Sequence, residues 1–74
     1  MNFNERIRNL REDNDKTQAQ LAIIFNTTQR KISRLETGES QPSLQDIKQY
    51  CVFFNKSADY ILGYTNEPKP LPKK

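Results

Sequence analysis

No histidine and a single cysteine occur among the 74 residues, and these scarcities exclude much chemistry. A lone thiol closes no disulfide within the chain. Without histidine, neither a zinc finger of the usual ligand spacing nor a His-based catalytic triad can be built. No nucleophile paired with a base and no metal-ligand cluster is visible, so no enzyme, cofactor or metal is expected. No apolar run reaches the roughly 18 residues of a membrane span, and no leader with a hydrophobic core is present, which predicts neither a membrane anchor nor secretion. The single thiol fits a reducing cytoplasm. There is no internal repeat.

What remains is one small domain of helical pattern. A chain of this size buries only about 60 to 65% of its unfolded surface, and no second, sensory domain is expected within it. The formal net charge is +3, a mild excess that suits a polyanionic partner without establishing one. Where the basic residues sit is therefore more informative than their number.

The run from Thr17 to Gly38, TQAQLAIIFNTTQRKISRLETG, predicts two short amphipathic helices around a tight polar turn. Thr17 and Thr28 are suited to cap them, because a threonine oxygen accepts from a free backbone N–H of the first turn. Asn26 and Thr27 lie between. Leu21, Ala22 and Phe25 give the first of these helices a buried side, and Ile32 with Leu35 gives one to the second; the small Ala22 permits a close crossing. At about 100° per residue, Gln29, Arg30, Ser33, Arg34 and Thr37 share the sector opposite Ile32 and Leu35, with Lys31 on its flank. No acid falls in that sector. Amide and guanidinium groups match purine edges in a bidentate manner, whereas ammonium and hydroxyl groups suit phosphates. The plain alternative is a solvated charged helix face.

Along the rest of the chain, Phe3, Ile7 and Leu10 predict a first helix from about Asn4 to Asp13, broken by the polar run Glu12 to Lys16. Gly38 suits a left-handed C-cap and opens a loop through Pro42. Ser43 with Asp46 forms a capping-box variant that starts a fourth helix, with Leu44, Ile47, Cys51 and Phe54 as its expected buried positions. Cys51 is read as core. Ser57 caps a last short helix over 58–62, stopped by Gly63. The domain is placed at residues 1–64, followed by a tail over 65–74 that holds three of the four prolines and is expected to be extended and mobile.

The elements RIRNLRE (Arg6 to Glu12), TQAQLA (Thr17 to Ala22), ISRLETG (Ile32 to Gly38), Pro42-Ser43 and DYILG (Asp59 to Gly63) occur in this order and with these gaps. In this the chain resembles the helix-turn-helix family of phage repressors and Cro proteins and the small bacterial and plasmid regulators related to them. The resemblance implies an all-α, five-helix, lambda-repressor-like fold; periodicity by itself supports the helices and not their arrangement. It also implies that Arg11 and Glu36 pair to tie the first helix to the end of the third. Gln18 is implied to clamp a phosphate, aided by the free N–H groups at its helix start. Thr28, Gln29, Arg30, Ser33 and Arg34 are then expected to face bases and their flanks, and Gln18, Lys31, Thr37 and Ser40 to hold backbone phosphates. Tyr60, Ile61 and Leu62 are read as closing the core, and Ala58, Ile61 and Leu62, with Phe53, are also expected to form a dimer contact, the two roles being shared.

Three features depart from the family pattern. Lys56 stands at a usually aliphatic position, where its stem can cover core while its ammonium reaches water. Ile23, Val52 and Phe53 fall on outward faces, and Thr37 replaces a common asparagine. The resulting expectation is a bacterial or phage regulator in the cytoplasm or nucleoid that binds double-stranded DNA as a homodimer and represses by occupying a promoter. Its rivals are an antitoxin-type module that grips a small protein partner through Val52, Phe53 or the tail, and a DNA-binding domain cut from a longer regulator.

Overall fold

Side-chain oxygens at five positions start the five helices of the computed structural model, which describes residues 2–70. Asn2, Thr17, Thr28, Ser43 and Ser57 each accept from the backbone N–H three residues on, satisfying a donor that has no partner within the helix. They open α1 (Phe3–Asp13), α2 (Gln18–Ile24), α3 (Gln29–Thr37), α4 (Leu44–Phe54) and α5 (Ala58–Ile61). The caps of α2 and α4 are reciprocal, with Gln20 and Asp46 reaching back to the N–H of Thr17 and Ser43. No strand occurs among the described residues.

The helix ends are equally regular. Asp15, Asn26, Gly38, Asn55 and Gly63 follow α1 to α5 in turn, and all five have positive φ. After α1, α2, α4 and α5 an amide then reaches back five residues: Lys16 to the Arg11 carbonyl (3.1 Å), Thr27 to Ala22 (2.8 Å), Lys56 to Cys51 (3.1 Å) and Tyr64 to Asp59 (2.8 Å). Asn and Asp tolerate this left-handed conformation better than other side chains. At Gly38 the demand is stricter, since an added Cβ would lie 3.2 Å from Asn4 Nδ2. That amide is itself engaged, donating to the Leu35 carbonyl at 2.7 Å and so fixing the end of α3 against α1.

Ile7, Leu10, Leu21, Ala22, Phe25, Ile32, Leu35, Tyr50, Cys51, Phe54 and Ile61 form the core. α3 packs chiefly on α1 and α2, and α4 on α5. Two positions differ from the sequence reading. Leu44 is 86% exposed, and Tyr50, absent from the expected set, is fully buried. Ile47, Tyr50, Cys51 and Phe54 define an arc whose centre lies roughly 70° from Leu44, and Leu44 also sits in the first turn; the expected stripe was rotated toward its outer flank. Ile61 is likewise fully buried, so it is a core residue and not available as the dimer contact expected of it. Phe53 is partly covered, its ring edge-on to Phe25 with centroids 5.7 Å apart.

The segment after Gly63 also departs from expectation. Arg6 is buried under the Tyr60 ring, its guanidinium carbon 3.9 Å from the ring centroid. Its Nη2 donates to the Thr65 carbonyl at 3.2 Å and to Asn66 Oδ1 at 2.7 Å. The Ser57 N–H donates to the Lys69 carbonyl at 2.9 Å. Residues 65–69 are thus fastened onto α1 and the start of α5. A proline-rich stretch loses donors but keeps its carbonyls, and acceptors are what a buried arginine needs; hydrophobic periodicity carries no trace of this. Residues 71–74 of the expected mobile tail lie outside the described residues.

A buried polar network joins the first three helices. Arg11 Nε donates to Glu36 Oε2 at 2.7 Å and Nη2 to Oε1 at 3.0 Å, with the two side chains 11% and 3% exposed. Arg11 Nη1 donates to the Lys16 carbonyl at 2.8 Å, and Gln18 Nε2 to Glu36 Oε1 at 3.1 Å. The Glu36 carboxylate holds the Arg11 pKa above its usual value. Such a pair is costly to break on one side, because the survivor is left charged in low dielectric. Glu36→Gln or Arg11→Met alone is expected to cost about 3 to 5 kcal/mol, and the double substitution to apolar residues less than the sum. Urea unfolding of the three variants checks this; additive losses contradict it.

Burial pushes the Tyr50 phenol up from its usual 10.0, and the Glu36 and Asp46 carboxylates push it further. The Cys51 thiol is raised from 9.0 by burial. Both groups are neutral in the native state, so their contribution to stability is fully present below pH 9.0 and declines as pH rises through 9.0 and then 10.0. The Tyr50 hydroxyl has no hydrogen-bond partner among the described residues, and leaving a buried polar group unpaired is unfavourable. Tyr50→Phe is therefore expected to be as stable as the parent or up to about 1 kcal/mol more stable at pH 7. It should also decline less steeply above pH 10.0, by up to about 1.4 kcal/mol per pH unit. A clear loss of stability at pH 7 in chemical denaturation contradicts this reading of Tyr50.

Candidate nucleic-acid interface

α3 stands at the centre of the candidate interface because its two sides are spoken for differently. Ile32, Leu35 and Glu36 face inward. Thr28 caps the helix, and Gln29 and Arg30, its first two residues, are exposed without a side-chain partner among the described residues. Ser33 and Arg34 are half-buried and Thr37 is exposed. Glu36 is the one acid in this helix and is occupied by Arg11 and Gln18. The outward face is therefore amide, guanidinium and hydroxyl, with two free long side chains at its N-terminal end.

The turn before α3 places that end. Phe25, Asn26 and Thr27 connect α2 to the cap Thr28; Asn26 takes the left-handed conformation and Thr27 donates back to Ala22. Gln49 of α4 donates to the Phe25 carbonyl at 3.2 Å, so the turn is held from a third side. The expected base-facing group of Thr28, Gln29, Arg30, Ser33 and Arg34 thus lies on one helix and its cap.

The expected phosphate group is more dispersed. Gln18 spends one amide hydrogen on Glu36 and retains the other. The Thr37 hydroxyl donates to the Arg34 carbonyl at 3.3 Å. Ser40 is half-buried in the loop after α3, its N–H donating to the Arg34 carbonyl at 3.2 Å. Lys31 is engaged elsewhere, its Nζ 3.3 Å from Asp46 Oδ2 on α4. Arg34 Nε lies 3.9 Å from Glu39 Oε2, the two side chains 43% and 66% exposed, so a loop acid borders a helix face that itself carries none. Sequence reasoning assigned Asp46 a capping role and missed its second one. The available signal was the first turn of α3, which has cations and no acid and so calls for a negative charge from another element.

A second surface shares no lining residue with this face. Ile24, Phe25, Val52 and Phe53, with Gln45, Lys48 and Gln49, line an open groove of about 330 Å³. Of its lining residues Ile24 and Val52 are well exposed, and Ile23, which does not line it, is exposed as well. Ala58 is exposed and Leu62 half-buried at α5. No helix among the described residues is long and apolar enough to cross a membrane.

Comparison with known proteins agrees with this geometry. Residues 7–61 match a family model described as Helix-turn-helix, a span that takes in most of α1 and all of α2 to α5. The chain is similar to the HTH-type transcriptional activator BcrR of Enterococcus faecalis, with 34% identity over 63 residues covering 85% of this chain and 31% of that protein. It therefore spans about a third of the length of the relative it matches. No solved structure matches at comparable significance. With the fold, the capped turn and the family match in agreement, the chain belongs to the helix-turn-helix family.

Proposed function

We propose that this chain is a sequence-specific DNA-binding regulator of transcription that lays α3 in the major groove. The observation that carries the reading is the outward face of α3, with Gln29 and Arg30 exposed, unpaired and free of any acid on that face. Amide and guanidinium groups are the side chains that match adenine and guanine edges in the major groove. Membership of the helix-turn-helix family and similarity to a protein named as a transcriptional activator support it. Thr28, Ser33 and Arg34 complete the base-facing set, and Gln18, Thr37 and Ser40 serve the flanking phosphates. The sign of regulation follows from where the operator lies. We assign repression, by an operator that overlaps the promoter and excludes polymerase; a reporter that falls rather than rises when the protein is removed overturns that assignment. Arg30→Ala and Gln29→Ala should each reduce discrimination between the selected operator and its point variants by roughly 1 to 3 kcal/mol. Selection of duplexes from a random pool with each variant checks this. An unchanged motif from both contradicts the assignment.

The reading includes two-fold pairing. A nine-residue helix reads few base pairs, and two symmetry-related copies place two such helices about 34 Å apart on one side of the duplex. Ala58, Leu62 and Phe53 are the surface residues proposed for the contact. With so little apolar surface there, the protein is expected to be largely monomeric when free and to pair on DNA. Ala58→Glu should lower the cooperativity of binding an inverted repeat while half-site affinity is kept. Footprints showing one protein per protected operator, without two-fold symmetry in the selected sites, contradict this.

A second reading, a module that grips a small protein partner, is favoured by the groove between α2 and α4. It separates from the first because Val52→Glu would abolish that grip and leave the DNA motif unchanged.

A further inference from the structure

Lys31 and Asp46 form the one polar side-chain link between α3 and α4 among the described residues. α3 otherwise packs mainly on α1 and α2, and α4 on α5. The Asp46 side chain is 13% exposed and that of Lys31 39%, so the carboxylate is largely covered while the lysine reaches it from the solvent side. Asp46 Oδ2 is shared: it accepts the Ser43 N–H at 2.9 Å and faces Lys31 Nζ at 3.3 Å. Ser43 Oγ in turn accepts the Asp46 N–H at 3.1 Å. The carboxylate is thereby held in one place by the cap of its own helix before the lysine reaches it.

Charge explains why the lysine goes there. Arg30 and Lys31 occupy the first turn of α3, at the positive end of the helix dipole, with no acid in that turn. Cations are disfavoured at that position. Asp46 supplies the missing negative charge to the start of α3 and, as the third residue of α4, to the start of that helix as well. One carboxylate therefore compensates two helix N-termini and a lysine.

Resting on the DNA-binding reading, we propose that Lys31 and Asp46 are positioning residues, which lock the N-terminal end of α3 against α4 and so set how Gln29 and Arg30 enter the groove. Lys31 is then not a phosphate contact. A lysine bound to phosphate must leave Asp46, stranding a largely buried carboxylate beside the duplex.

The test is a double-mutant cycle on binding of the full chain to its selected operator, with Lys31→Met, Asp46→Asn and the pair, each checked by thermal melting to be folded at the assay temperature. Asparagine retains an oxygen for the Ser43 N–H, which spares the α4 cap. Positioning predicts that each single change weakens operator binding by about tenfold and that the double change is little worse than either, as for side chains that act as one unit. The dependence on salt should be unchanged, and Lys31→Arg should restore affinity. A phosphate role predicts a different pattern: Lys31→Met also weakens binding but lowers the salt slope by about 0.9, and Asp46→Asn, which frees a cation, tightens binding. Either of those results overturns the proposal. So does unaltered operator affinity in a variant that merely melts earlier, which marks the pair as structural alone. If the unsubstituted chain selects no duplex at all, the DNA-binding reading itself fails, and the cycle distinguishes that failure from the others.

Discussion

The carboxylate of Glu36 is the constraint on which the rest of the structure depends. Three helices converge on it: α1 through Arg11, α2 through Gln18 and α3 through Glu36 itself. Because the Glu36 side chain is almost wholly buried, it needs those donors, and because its donors sit on separate helices, satisfying it fixes how the helices cross. Hydrophobic packing of Leu21, Ile32 and Leu35 supplies much of the favourable free energy but is tolerant of small slides. Directional hydrogen bonds to a buried charge are less tolerant. Placing the acid of α3 inward has a second consequence, since it leaves the outward face of that helix without negative charge.

The same logic extends outward along α3. Its C-terminal end is fixed by Asn4, which donates to the Leu35 carbonyl beside Gly38. Its N-terminal end is fixed by the Thr28 cap and by Lys31 reaching Asp46. Between these anchors Gln29 and Arg30 have no side-chain partner among the described residues. A helix held at both ends and along one side, with free long side chains on the other, is suited to present groups at defined positions, and this is what groove readout requires.

Much of this was legible in the sequence, and for identifiable reasons. Thr17, Thr28, Ser43 and Ser57 announce helix starts through local chemistry, and Ile32 with Leu35 announces a buried side through spacing. The pairing of Arg11 with Glu36 came from the family resemblance, since nothing local marks two charges 25 residues apart as partners. Other features were not legible. The stripe on α4 was misplaced because Leu44 and Tyr50 lie on opposite flanks of the buried arc, and hydropathy favours leucine. Ile61 is expected to close the core and also to share in a dimer contact; the α4–α5 packing encloses it and leaves only the first role. The docking of residues 65–69 depends on two backbone carbonyls, which every sequence possesses, and on the Asn66 side chain meeting an arginine 60 residues away, and the turn of Lys31 toward Asp46 depends on the placement of a separate helix.

Whether the N-terminal face of α3 meets base edges in the major groove is read by methylation interference on the selected operator. Methylation at guanine N7 blocks the major groove and methylation at adenine N3 the minor groove. The account predicts interference at guanine N7 in each half-site, with the site opposite Arg30 losing its effect in Arg30→Ala. Interference confined to adenine N3, with guanine methylation tolerated throughout, would contradict it.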